Sequence, residues 1–203
     1  MNTIINIGRS FGSGGGFVGK AVGRLLDIPV YDNELISKVA EESGYSPGLF
    51  AQGEEKRSLF SVSSFFASGR LSYMDSGYVN DNVMFNIQSE VIRAIAEKGD
   101  AVIIGRCADY ILRDLPCLDV FVCAPEEYRI RRLMENEGLS ADEAEKLMRR
   151  KDRTRETYYN YYTFGAWGQA ANYDLCIDSS VLGIEGTAQY IIDFGRRAGK
   201  IGK

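Results

Sequence analysis

The chain has 203 residues, 45% hydrophobic and 26% charged, with 24 lysines and arginines against 28 aspartates and glutamates and a formal net charge of −4. This suits one soluble globular domain with one sizeable core, and the acidic balance argues against nucleic acid or an acidic membrane as the main partner. There is no histidine, which excludes His-dependent triads, His–metal sites and His general bases together.

The N-terminus MNTIINIGRS lacks a basic region followed by a long apolar stretch, and no run approaches the roughly 18 apolar residues of a membrane span. A cytoplasmic protein is expected, with no membrane partner. Cys107, Cys117, Cys123 and Cys176 show no C-x-x-C spacing and read as buried reduced thiols.

Residues 3–7 (TIINI) form a short β-rich run, a glycine-rich stretch follows, and Val18, Val22, Leu25 and Leu26 then recur at helical spacing up to Asp27. Pro29 ends that helix. A short strand closing at Tyr31 leads through Asp32 into a second helix carrying Leu35, Ile36, Val39 and Ala40, stopped by Gly44. Residues 45–80, rich in Ser, Phe and Gly with weak periodicity, predict irregular or mobile helices over a cleft.

An amphipathic helix is expected over 81–98, then the apolar strand Ala101–Ile104 with Gly105-Arg106 at its end. Residues 118–124 make another strand, Pro125 opens a helix through Asn136, and Gly138 stops it. Ser140 is the expected N-cap of a long helix whose acidic residues come first and basic ones later, matching the helix dipole. Leu175–Asp178 is the last strand, and 184–197 the last helix. Five strands alternating with helices predict a three-layer α/β/α fold around a parallel sheet, with ligands at the strand C-termini.

Gly12, Ser13, Gly14, Gly15 and Gly16, lying between a strand and a helix, can turn their N–H groups inward as an anion nest at a helix N-terminus. A tight glycine turn is the plain alternative. Arg129, Arg131 and Arg132 read as a solvated helix face paired with Glu135 and Glu137. Arg153 and Arg155, just before the aromatic tract 158–167, read as phosphate-handling groups, because converging guanidiniums chelate phosphate oxygens. The rings of that tract either stack on a base, close a lid, or pack the helix against the core.

On its G-S-G-G loop (Gly12 to Gly15), the D-x-x-R-x-x-Y-Y segment containing Asp152, Arg155, Tyr158 and Tyr159, and the closing Y-D-L-x-I-D segment, the chain resembles the cytidylate kinase-like family. The resemblance implies a P-loop NTPase fold with a five-stranded parallel sheet. It implies a single domain over 1–203, with a helical acceptor-side insertion at about 44–98 and a helical lid at about 138–168. It further implies ATP and Mg²⁺, with a small-molecule nucleotide such as CMP or dCMP as acceptor. Gly12 to Gly16 would hold donor phosphates and Asp32 would reach the acceptor sugar. Arg106 would bind the acceptor base or phosphate, Asp152, Arg153 and Arg155 would act from the lid, and Lys38 falls where an acceptor-phosphate arginine is expected.

Three departures from the pattern G-x-x-G-x-G-K-G-T stand out. Arg9 replaces the first glycine, Gly15 the lysine, and Phe17 the magnesium-binding hydroxyl; Gly16 follows G-S-G-G where an arginine is common; and Cys107 replaces the aspartate of G-R-D. The expected compensation is that Arg9 and the lid arginines neutralise the triphosphate, with Ser10 or Ser13 offering the hydroxyl to the metal. A degenerate nucleotide-binding module and a kinase for a non-nucleotide small molecule both stay open at this point, as does the oligomeric state.

Overall fold

Alternating short apolar runs and helical repeats resolve, in a computed structural model describing residues 2–42 and 74–202, into five strands and seven α-helices among the described residues. In chain order they are β1 (Ile4–Arg9), α1 (Gly15–Leu26), β2 (Val30–Tyr31), α2 (Asn33–Glu42), α3 (Met74–Lys98) and β3 (Ala101–Ile104). Then follow α4 (Ala108–Ile111), β4 (Leu118–Cys123), α5 (Glu126–Glu137), α6 (Ala141–Thr163), β5 (Leu175–Asp178) and α7 (Ser179–Arg197). All pairings are parallel and the sheet order is β2-β3-β1-β4-β5. Most of the acceptor-side insertion expected at 44–98 lies outside the described residues.

Strand side chains alternate between two cores. Ile4, Ala101 and Ile103 pack with Ile36 of α2 and with Ile87, Val91, Ile92 and Ile95 of α3. Ile5, Ile7, Val102, Ile104 and Val120 face the other way, onto Val18 and Val22 of α1 and Ile191 and Ile192 of α7. Covering both faces is what lets the strands be apolar on both sides, and it produces the three layers expected from the sequence. A smaller cluster, Leu133, Ala144 and Met148, joins α5 to α6 and reaches Phe11 beyond β1.

The helix ends follow the local chemistry. Ser140 caps α6 in a full capping box with Glu143, and Gly138, at φ 67°, closes α5 with its N–H on the Met134 carbonyl. The last helix starts earlier than its apolar repeat suggested. The Asp178 carboxylate accepts the Ser180 N–H at 2.8 Å, and a kink at Gly183 (φ 66°, ψ −176°) separates this first turn from the periodic stretch. No described helix is long and apolar enough to cross a membrane. Cys107 and Cys117 are buried as expected, whereas Cys176 is exposed because it sits on edge strand β5.

Candidate active site

The connection from β1 to α1 is only Ser10 to Gly14. It doubles back through Gly12 (φ 81°) and Gly14 (φ 82°), left-handed positions that glycine adopts without steric cost. Gly14 is the N-cap of α1 and carries no side chain over the helix's free N–H groups. A Cβ on Gly16 would meet nothing within 4 Å, so the start of the helix is open to an approaching anion. This is a backbone cradle suited to phosphate.

Ser13 departs from its expected role as a metal ligand. It is fully buried, with its Oγ 3.1 Å from the Val122 carbonyl and 2.9 Å from the Ser10 carbonyl, and it accepts the Gly15 N–H at 3.3 Å. The hydroxyl shapes the loop from inside, which leaves Ser10 as the hydroxyl donor of the pair. Among the described residues no group of three Cys, Asp or Glu side chains is arranged to hold a metal ion. A Mg²⁺ ion that keeps several waters and takes its other oxygens from phosphates, with Ser10, is compatible with this donor set.

Arg9 turns away from the loop. Its guanidinium lies against Gly105 at the end of β3, where any Cβ would collide with Nη1. Burial, then the guanidiniums of Arg155 and Arg106, push Arg9 down to about 9, with Asp32 opposing. The three arginines line one cavity of about 250 Å³ together with Asn33, Asp109 and a wall of Tyr158, Tyr159, Trp167 and Tyr173. Such an excess of buried positive charge is relieved by a bound anion.

Each wall of that cavity has a local cause. Arg155, on α6, donates to the Arg9 carbonyl at 3.0 Å and stands 5.2 Å from the centre of the Phe11 ring. Arg106 lies 5.9 Å from the centre of the Tyr158 ring. It sits in a turn in which Gly105, Arg106 and Cys107 have φ values of 77°, 59° and 54°. Asp109 accepts the Tyr159 hydroxyl at 2.7 Å, and burial holds its carboxyl above the usual range. Burial likewise pushes the Cys107 thiol up to about 12, leaving it an inert buried group.

Asp32 stands at the end of β2 and does two things. Its Oδ1 accepts the Leu35 N–H at 3.2 Å, capping α2, while Oδ2 lies 3.8 Å from Lys20. Lys38 is on α2, and its side chain is outside the described residues. Arg153 is exposed and faces a separate cleft of about 470 Å³ between α5 and α6, lined by Glu126, Arg149 and Glu156, so it is not brought into the arginine cavity.

The reading of Arg129 as a solvated residue is corrected. It is 8% exposed, donates to the Phe11 carbonyl at 3.2 Å, and is in direct ion-pair contact with Asp152. Asp152 in turn accepts the Phe11 N–H at 2.6 Å. The sequence did hold a signal: Arg129 precedes buried Leu133 by four residues and therefore shares its inward face. Arg132, one turn on, is half-buried beside Gly14 and Phe17. The aromatic tract mostly packs: Tyr162 stacks on Phe85 at 4.0 Å, and Trp167 meets Phe121 edge-on at 5.5 Å.

A parallel five-stranded sheet with a glycine loop between β1 and α1 is the architecture of P-loop kinases. Two solved shikimate kinases share it, from Bacteroides thetaiotaomicron (15% identity, 97% of this chain and 99% of that one, TM-score 0.54) and Acinetobacter baumannii (14%, 100% and 96%, 0.52). An uncharacterized protein from Eubacterium ventriosum ATCC 27560 is 29% identical over 94% of this chain and 96% of its own, with a TM-score of 0.69. The chain belongs to the cytidylate kinase-like family, whose profile matches residues 4–181. No curated protein matches the sequence. Family membership supports a nucleotide-binding phosphotransferase.

Proposed function

We propose that this protein transfers the γ-phosphoryl group of ATP to a nucleoside monophosphate, with CMP and dCMP the first candidates. The observation that carries the reading is the meeting of Arg9, Arg106 and Arg155 in one cavity whose first wall, Gly8 and Arg9, runs directly into the glycine loop. The loop amides and the N-terminus of α1 would take the donor phosphates, with Ser10 as the hydroxyl available to Mg²⁺. ATP with Mg²⁺ supplies the phosphoryl group and screens its charge. Everything else asked of the protein is positioning and charge stabilisation.

On the acceptor side, the three guanidiniums hold the monophosphate and orient one of its oxygens toward the loop. Their mutual repulsion is relieved when the phosphate arrives, so binding and charge neutralisation are coupled. The carboxyl absent at Cys107 is present two residues later at Asp109, in the same cavity, where it offers a hydrogen-bonding group to a base. The aromatic wall of Tyr158, Tyr159 and Trp167 excludes water. Acceptance of a non-nucleotide anion remains a second reading, favoured by the loss of the G-R-D carboxylate at position 107.

The test is ADP release from Mg·ATP across ribo- and deoxynucleoside monophosphates, with ATP alone as blank. Turnover that depends on CMP or dCMP, and falls roughly 100-fold or more in kcat/KM on Arg155→Ala, supports the reading. Equal rates with and without every monophosphate would overturn it.

A further inference from the structure

The lysine missing from the loop cannot simply be restored in this backbone. A Cβ on Gly15 would stand 2.5 Å from the Arg9 Cβ and 3.2 Å from the Val122 Cβ. Arg9, the nearest cation on the N-terminal side of the loop, sends its guanidinium to Gly105 on the β3 side, and Arg155 is bonded to the Arg9 carbonyl. Both therefore serve the acceptor cavity, and the head of α1 must find its cation elsewhere.

It has one from the opposite flank. Arg132 of α5 brings its Cζ to 3.3 Å and its Nη2 to 3.4 Å from the point where a Cβ on Gly14, the N-cap of α1, would lie. Its guanidinium is 5.6 Å from the centre of the Phe17 ring, which is 60% exposed and stands where the family pattern has its hydroxyl. No carboxylate of the described residues forms a salt bridge with Arg132, in contrast to Arg129 and Arg149. Its placement follows from topology: α5 leaves β4, which neighbours β1 on the side away from β3. The Phe17 ring and the Ile184 side chain, whose Cδ1 stands 2.6 Å from the same point, hold the guanidinium beside the N-cap, leaving N–H groups for an anion there.

We infer that Arg132 is the cation that binds the donor's terminal phosphates in place of the missing loop lysine. This rests on the kinase reading above. It divides the cations into a donor-side arginine from α5 and an acceptor-side trio, with the glycine loop between them. A planar guanidinium can bridge two phosphate oxygens, which a lysine ammonium does only as a point charge. Phe17 then has a role as the platform that fixes this arginine.

The experiment is calorimetric binding of ATP, and separately of inorganic tripolyphosphate, to the full chain without acceptor, for wild type, Arg132→Ala and Arg132→Gln. Loss of one charge-assisted contact predicts roughly 10-fold to 100-fold weaker ATP binding in both variants, the same factor for tripolyphosphate, and unchanged thermal unfolding. Wild-type-like affinity for ATP in a folded variant would overturn the inference while leaving the kinase reading intact. A loss seen with ATP but not with tripolyphosphate would also overturn it, by assigning Arg132 to the base. Failure of the wild type to bind ATP at all would remove the kinase reading itself, and the inference with it. Arg132→Gln keeps most of the side-chain volume, so a folding defect confined to Arg132→Ala still leaves the question decided.

Discussion

Arg9 and Gly15 are packed so closely that the Arg9 Cβ stands 2.5 Å from where a Cβ on residue 15 would lie. Two departures from the family loop, arginine for glycine and glycine for lysine, are thus one steric event. Gly15→Ala is predicted to destabilise the protein by about 1–3 kcal/mol through overpacking. Arg9→Gly in the same chain should remove most of that cost. A double-mutant cycle in urea should return a coupling of about 1 kcal/mol or more. Additive effects would show that the two positions are independent.

Arg106 holds φ at 59° inside a three-residue left-handed turn. A non-glycine residue there costs about 1–2 kcal/mol, partly offset by glycine's greater freedom in the unfolded chain. Arg106→Gly should therefore raise stability by about 0.5–1 kcal/mol while lowering acceptor-dependent kcat/KM at least about tenfold. Denaturant melts and initial rates on the same preparation separate the two effects. Lower stability with full activity would mean that the arginine serves the fold.

Arg129 and Asp152 form an ion pair with side chains only 9% and 19% exposed, and both also bond the Phe11 backbone. Removing one partner strands a charge. Arg129→Met is predicted to cost about 3–5 kcal/mol. Adding Asp152→Asn should recover most of it, because an amide oxygen still accepts the Phe11 N–H without leaving a charge unpaired. Chemical denaturation of the single and double variants checks this.

Burial raises the Asp119 carboxyl from 3.8 to about 6, with Asp109 and Asp174 adding to the shift and the Asn6 amide and Lys200 opposing it. The folded protein therefore holds this proton more tightly than the unfolded chain. The contribution to stability is fully present below about pH 4 and is lost as pH rises through about 6. Asp119→Asn keeps an acceptor for the Asn6 Nδ2, which lies 2.8 Å from the Asp119 Oδ1. It should stabilise the protein at pH 8 by on the order of 2 kcal/mol relative to wild type, with the advantage vanishing near pH 3.5. Melting curves at both pH values decide it.

The sheet was legible because Ile4, Ala101 and Leu118 begin apolar runs bounded by turn residues, and the caps Ser140 and Gly138 announce their helices in the local chemistry. The loop was legible too, since its glycines follow a strand directly. What escaped is long-range. Arg129 sits in a helix full of charges, and its partner Phe11 lies 118 residues away in the chain. No local pattern encodes that contact. The direction of Arg9 was hidden for the same reason, because it depends on the bare Gly105 brought beside it by parallel pairing of β1 and β3. Ser13 looked like a metal ligand by type, and only its burial against the Val122 carbonyl shows that its hydroxyl is already committed. The early start of α7 was masked by the Gly183 kink, beyond which the apolar repeat begins.

The most direct test of phosphoryl transfer is to follow the label of γ-labelled ATP with CMP and Mg²⁺ present. Label is expected to appear in a nucleoside diphosphate at a rate far above its appearance as inorganic phosphate, and Arg155→Ala should slow this transfer roughly 100-fold or more. Label that appears only as inorganic phosphate, or remains in ATP across the whole panel of nucleoside monophosphates, would contradict it.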